Sequence, residues 1–125
     1  LKALILLAHG SRDPLGLQPL AQIRAWVQAA QPDLVVREAY LSLNQPSLED
    51  CVQDLHHSGH VVVTVLPLLV ARGQHLNVEL PLLMRDLQDR FPALSLRLGP
   101  HLGADEAIVG LVLQRVEQAG AVSLV

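Results

Sequence analysis

Three histidines stand where this chain could do chemistry. His9 ends the run Leu4-Ile5-Leu6-Leu7-Ala8 and precedes Gly10-Ser11-Arg12. His75 follows Gly73-Gln74, and His101 lies in Gly99-Pro100-His101-Leu102-Gly103. Neutral imidazole binds divalent metals and is also a base near physiological pH, so histidines meeting at one cleft could hold an ion or move protons. The plainer alternative is that each caps a loop through backbone hydrogen bonds. That suits His101. For His9 and His75 together the functional reading is favoured, because both have glycine close by and both are predicted to leave the same sheet edge.

The elements that must position them alternate along the chain. Leu1–Ala8 reads as a buried strand, since a short continuous apolar run ended by glycine is how a central parallel strand reaches a cleft. After a His9–Pro14 loop, Leu17, Leu20, Ile23 and Val27 recur at helical spacing, with Pro19 tolerable in a first turn and Pro32 past the end. Val35–Leu41 is the second strand. Ser47, with Asp50 three residues on, is an N-cap for a helix facing inward through Leu48, Val52 and Leu55 and stopped by Ser58-Gly59. His60–Leu66, rich in β-branched residues, is the third strand. Pro67 ends it, and Leu68–Gln74 is a loop. A third helix is predicted over Asn77–Arg90 with Leu80, Leu83, Met84 and Leu87 inward. Leu94–Leu98 is the fourth strand, and Ala104–Ala119 a last helix closed by Gly120. Ala121–Val125 is a candidate fifth strand or a frayed tail.

β-α repeated four times without a linker predicts one α/β domain over residues 1–125. Its four-stranded parallel sheet, with a candidate fifth strand, carries helices on both faces and right-handed crossovers. In open sheets of this kind, ligands bind outside the carboxyl ends of the strands. No internal repeat is evident in the sequence.

Composition excludes several classes. Half the residues are hydrophobic and 17% charged, so disorder is out. Aromatics are 2%, essentially Trp26, Tyr40 and Phe91, too few for stacking platforms on single-stranded nucleic acid. A formal charge of −3 gives no basic footprint for a duplex. No nucleic-acid partner is expected. Nor is a membrane: the longest apolar stretch, Val61–Ala71, contains Thr64 and Pro67 and is too short to span. No leader cleavage site precedes His9. A single cysteine, Cys51, rules out an internal disulfide and fits a reducing compartment, so a cytoplasmic location is expected.

Other candidates are weaker. His56, His57 and His60 fall at a helix C-terminus and the opposite end of the third strand, where surface punctuation that complements the dipole is the better reading. Glu79, four residues after His75, shares its helical side and could orient it or accept a proton; an ordinary first-turn acid is as good an account. Gly10-Ser11-Arg12-Asp13 could cradle an anion at a helix start, but it lacks the further glycines of a dinucleotide fingerprint and the lysine of a P-loop. Ser11 sits in no nucleophile elbow, and Cys51 reads as an inert thiol inside the second helix.

Taken together, His9-Gly10-Ser11-Arg12, Tyr40-Leu41 with Pro46-Ser47-Leu48, Val61–Pro67 followed by Gly73-Gln74-His75 and Glu79-Leu80-Pro81, and Gly99-Pro100 with Leu102-Gly103 resemble the small CbiX-type sirohydrochlorin chelatases, relatives of the class II tetrapyrrole chelatases. The match spans nearly the whole chain. The resemblance implies insertion of a divalent metal into sirohydrochlorin, with cobalt first and nickel or ferrous iron as alternatives. The metal is a substrate, and no organic cofactor is implied. Carried over, His9 and His75 bind the incoming metal and assist deprotonation of the macrocycle, with Glu79 behind His75. The substrate carboxylates would meet Arg12 and Arg72, with Ser11 and Ser42 beside them. Small members pair as homodimers, being about half the length of their two-domain relatives. Ser42 stands where many members carry a glutamate, Gln45 replaces a commonly acidic residue, and Glu79 stands for a frequent aspartate. These departures keep two other readings open. One is a metal- or tetrapyrrole-binding relative without turnover; the other is an anion-binding module built on Gly10–Arg12.

Overall fold

The computed structural model of the chain describes residues 2–68 and 75–120, with the backbone alone at His75 and Leu76. Four strands, β1 (Lys2–Ala8), β2 (Val35–Tyr40), β3 (Val62–Pro67) and β4 (Ser95–Leu98), form a parallel sheet in the order β2-β1-β3-β4. The α/β architecture expected from the alternation is the one found. The candidate fifth strand, residues 121–125, lies outside the described residues.

Strand alternation sorts β1 into two cores. Ala3, Ile5 and Leu7 meet α2 (Leu48–His57) through Leu48, Cys51, Val52 and Leu55, and α3 (Leu80–Arg90) through Leu80, Met84 and Leu87. Leu4, Leu6 and Ala8 face the other way, toward Leu20 and Val27 of α1 (Gln18–Ala30). The expected apolar face of α1 needs one correction, because Ile23 stays exposed. Arg24 turns to Glu38 on β2 at 3.3 Å, and Trp26, like Ile23, stays exposed. No described helix is long and apolar enough to cross a membrane.

Local chemistry explains the element ends. Ser47 and Asp50 form a reciprocal capping box at the start of α2. Pro19 lies in the first turn of α1, after a short 3-10 turn at Pro14–Leu17. The third helix differs from its expected course: His75–Glu79 winds as a π-helix, and α-helix begins only at Leu80. Pro81 accounts for this, since its ring would clash with the carbonyl of Asn77 in a continuous α-helix. The last helix, α4 (Ile108–Gly120), starts four residues late and includes Gly120. Asp105 diverts its first turn by accepting from the Ala107 N–H at 2.8 Å through its side chain. His60 is a further correction. It is buried, not on the surface, and its Nδ1 has no hydrogen-bond partner among the described residues. Nearby, His56 packs its ring 5.2 Å from that of Phe91.

The structure also reveals a repeat that composition and periodicity conceal. Gln28 Nε2 donates to the carbonyls of Gln31 and Leu34 at 3.1 and 2.5 Å, and its Oε1 accepts from Val36 N–H at 3.0 Å. Gln88 does the same at the same offsets, donating to Phe91 and Leu94 at 3.2 and 2.7 Å and accepting from Leu96 at 2.9 Å. Both stretches read Gln-x-x-x-Pro-x-Leu, and each amide ties the end of a helix to the edge strand that follows. Each glutamine therefore satisfies backbone groups at an exposed sheet edge. Replacing either by alanine strips those partners together, and Gln28→Ala or Gln88→Ala should lower the unfolding free energy by about 1–3 kcal/mol in urea titrations.

Candidate functional site

The site is built where β1 runs out. The ladder between β1 and β2 continues past both strands, with Leu41 N–H donating to Ala8 O at 2.8 Å and Ser42 N–H to His9 O at 3.0 Å. The His9 backbone is thereby fixed while its side chain stays exposed at the carboxyl edge of the sheet. Gly10 follows at φ +108°, and a Cβ there would run into the Ser42 carbonyl oxygen. Glycine is required on both counts.

The facing loop is equally constrained. Asn44 N–H donates to Ser42 O at 2.8 Å around Leu43, whose φ is +70°; this is a tight three-residue turn with a rarely occupied centre. The turn brings Asn44 Oδ1 within 2.6 Å of Ser11 N–H. Asn44 is thus a positioning residue that the sequence reading did not single out. The signal available was an asparagine at a turn, which says nothing about a partner on another loop.

Ser11 and Arg12 sit in this anchored loop at the expected edge, with Arg12 exposed. The anion-module alternative loses its basis. Ser11 N–H goes to Asn44, Asp13 N–H to Ser11 Oγ at 3.1 Å, and Leu15 N–H to the Asp13 carboxylate at 3.0 Å. A cap that is itself an anion leaves a poor cradle for another. Ser42 turns its hydroxyl onto the His9 carbonyl at 3.2 Å. Glu79 ends the π-turn that begins at His75, an irregularity frequent at functional sites. The His75 side chain and the whole of Arg72 lie outside the described residues. His101 lies over its own loop, where a Cβ on Gly103 would be 3.5 Å from its ring.

Below the site, Tyr40 donates its hydroxyl to Glu38 at 2.8 Å, and burial together with that carboxylate pushes its pKa up to about 12. Cys51 is core, as expected. Its Sγ donates to the Glu38 carbonyl, and burial raises the thiol to about 11. It lines a 440 Å³ cavity with Arg24, Arg37 and Asp54, beside β2 and away from the carboxyl edge.

With this geometry in place, comparison with known proteins is decisive. A family model described as CbiX matches residues 3–119. The chain belongs to the CbiX family. The sirohydrochlorin cobaltochelatase of Methanosarcina acetivorans is 27% identical over 127 residues, which cover 93% of this chain and 95% of that protein. Among solved structures, the chain is similar to a putative cobalamin biosynthesis CbiX protein from Marinobacter aquaeolei VT8 (TM-score 0.77, 27% identity, 96% and 94% covered). It is also similar to the sirohydrochlorin chelatase SirB from Bacillus subtilis subspecies spizizenii, solved with cobalt (TM-score 0.85, 25% identity), where it covers 94% of this chain but 50% of that one.

Two outcomes follow from the CbiX-type edge seen here. Gly10→Ala should destabilise by about 1–3 kcal/mol through backbone strain and the clash with Ser42, and Asn44→Ala by about 1–3 kcal/mol through the orphaned Ser11 amide; urea titration reads both. Because the folded Tyr40 pKa lies above its unfolded value of 10.0, its stabilising contribution is complete below pH 10 and is lost as pH rises through about 12. Tyr40→Phe should flatten that alkaline limb of a stability-against-pH curve.

Proposed function

We propose that this chain is a sirohydrochlorin chelatase that inserts a divalent metal, cobalt first, and works as a homodimer in a reducing cytoplasmic compartment. The observation that carries this reading is the CbiX match over residues 3–119, which takes in both the fixed, exposed His9 and the π-turn opening at His75. The names of the Methanosarcina and Bacillus relatives support the substrate, and the cobalt in the Bacillus structure supports the metal. The lone Cys51 supports the compartment.

Insertion exchanges one divalent ion for two pyrrole protons. In the proposed reaction His9 and His75, as neutral imidazoles, receive the ion and take up those protons, with Glu79 orienting His75. Arg12 and Arg72 meet the macrocycle carboxylates, and Ser11 and Ser42 offer hydroxyls beside them. A second reading is favoured by one observation. Ser42 supplies a hydroxyl, bonded to the His9 carbonyl, where the family resemblance leads one to expect a carboxylate. A relative so altered could bind metal or tetrapyrrole without turnover.

Anaerobic metallation of sirohydrochlorin by cobalt, nickel and ferrous iron, followed by absorbance against the spontaneous rate, separates the two. The chelatase reading expects acceleration by wild type and a loss of at least about tenfold in His9→Ala and His75→Ala, the scale of a general acid-base contribution. A spectral shift on mixing without acceleration would replace it with the binding reading.

A further inference from the structure

The outer edge of β2 is closed at both ends and open in the middle. Leu41 N–H donates to Ala8 O, so alternation turns the N–H and C=O groups of Val36, Glu38 and Tyr40 away from β1. Val36 N–H is taken by Gln28 Oε1 at 3.0 Å, and Tyr40 N–H by the Pro46 carbonyl at 3.0 Å. Between these ties, Glu38 N–H and the Val36 carbonyl have no hydrogen-bond partner among the described residues. The ties stand four residues apart, about 13 Å along a strand. A further strand is shut out, while a single residue fits. Val36 and Glu38 both line the 440 Å³ cavity beside β2, a volume suited to a small molecule.

Charge around the gap is sorted along the strand. Ser47 is bridged to Tyr40 and Cys51 Sγ bonds the Glu38 carbonyl, so α2 runs back along β2 and Asp54, about one turn further on, falls toward Val36. The cations gather at Glu38. Arg37 is its neighbour, and Arg24 meets its Oε1 through Nε alone, which leaves both Nη groups for another partner. The Glu38 carboxylate itself is satisfied, with the Tyr40 hydroxyl on its Oε2. Asp50 accepts from the Ser47 amide in the capping box. Arg37 and Asp54 also line the cavity, and neither forms an ion pair with a described residue.

We propose that this cleft binds a free α-amino acid with an aliphatic side chain. Its carboxylate accepts from Glu38 N–H and pairs with Arg37 and the Arg24 Nη groups, while its ammonium donates to the Val36 carbonyl beside Asp54. The ligand then stands in the sheet as one residue of a parallel strand would, donating to one carbonyl and accepting from the amide two residues on. A longer peptide is excluded from the edge, because Gln28 and Pro46 hold the next places on either side. A simple anion would leave the Val36 carbonyl and Asp54 unanswered, and a simple cation would leave Glu38 N–H and Arg37 so. Val36 and Pro46 supply apolar walls for the side chain. The site lies away from the carboxyl edge and stands independently of the chelatase reading.

Titration of the isotope-labelled chain with L-leucine, followed by amide NMR, tests this without metal or tetrapyrrole. The Glu38 amide should move and saturate below about 10 mM. Leucinamide, which lacks the carboxylate, and isocaproate, which lacks the ammonium, should each bind at least about tenfold more weakly. Arg37→Gln should weaken L-leucine at least about tenfold and leave leucinamide unchanged. Asp54→Asn should weaken L-leucine by a similar factor and leave isocaproate unchanged. Both positions are exposed, so amides away from the cleft should match wild type. A Glu38 amide that stays still in L-leucine would overturn the site. So would equal shifts with all of these compounds, or L-leucine binding that survives both variants.

Discussion

The carboxyl edge depends on a ladder that does not stop where its strands do. Leu41 and Ser42 keep donating to Ala8 and His9 after β1 and β2 have ended, so the two following loops are held at backbone distance. That closeness dictates the residues around it. Position 10 tolerates no Cβ because the Ser42 carbonyl occupies the space. Position 44 needs a short acceptor to meet the Ser11 amide, and Leu43 accepts an unfavourable φ so that Asn44 can reach. Ser42 belongs to the same lock. Its hydroxyl can donate to the His9 carbonyl, whereas an ionised glutamate can only accept. The serine thus reinforces the position of His9 at the place where the family resemblance leads one to expect a carboxylate.

Behind that edge, the sheet is held unequally. Its α2–α3 face has a continuous core from Ala3 to Leu87, while the α1 face narrows to Leu6, Leu20, Val36 and Tyr40. The paired glutamines compensate at β2 and β4, the edge strands of the sheet among the described residues. Gln28 and Gln88 hold β2 and β4 to the helices that precede them, so the edge strands are fixed from the side as well as from above.

How much of this was legible depends on how far apart the partners lie. Ser47 and Asp50 cap within one turn, and the Leu80, Met84 and Leu87 stripe repeats every few residues; both could be read from the sequence. The parallel sheet and the emergence of His9 at its carboxyl edge followed from alternation; the order β2-β1-β3-β4 did not, because it depends on which strands meet across the crossovers. The glutamine ties did not, because their partners at offsets of three, six and eight become neighbours only once a helix turns back into a strand. Asn44 and Ser11 are further apart still. The sequence reading started the third helix at Asn77 and did not weigh Pro81, which delays α3 to Leu80 and leaves His75–Glu79 as a π-turn. His60 was assigned to the surface from its place between a helix C-terminus and the start of the third strand, although Leu55 and Val63 on either side are core.

For the proposed reaction, the contrast between the two histidine positions has consequences of its own. A group that receives a metal and then hands it to a macrocycle must be placed accurately and yet remain able to let go. His9 is held at its backbone, through the carbonyl, while its side chain is exposed at the carboxyl edge. The backbone of His75 enters differently, from the first residue of a π-turn imposed by Pro81 and not from the end of a strand. In the proposed reaction one ligand is therefore carried by the sheet and the other by the π-turn that Pro81 imposes.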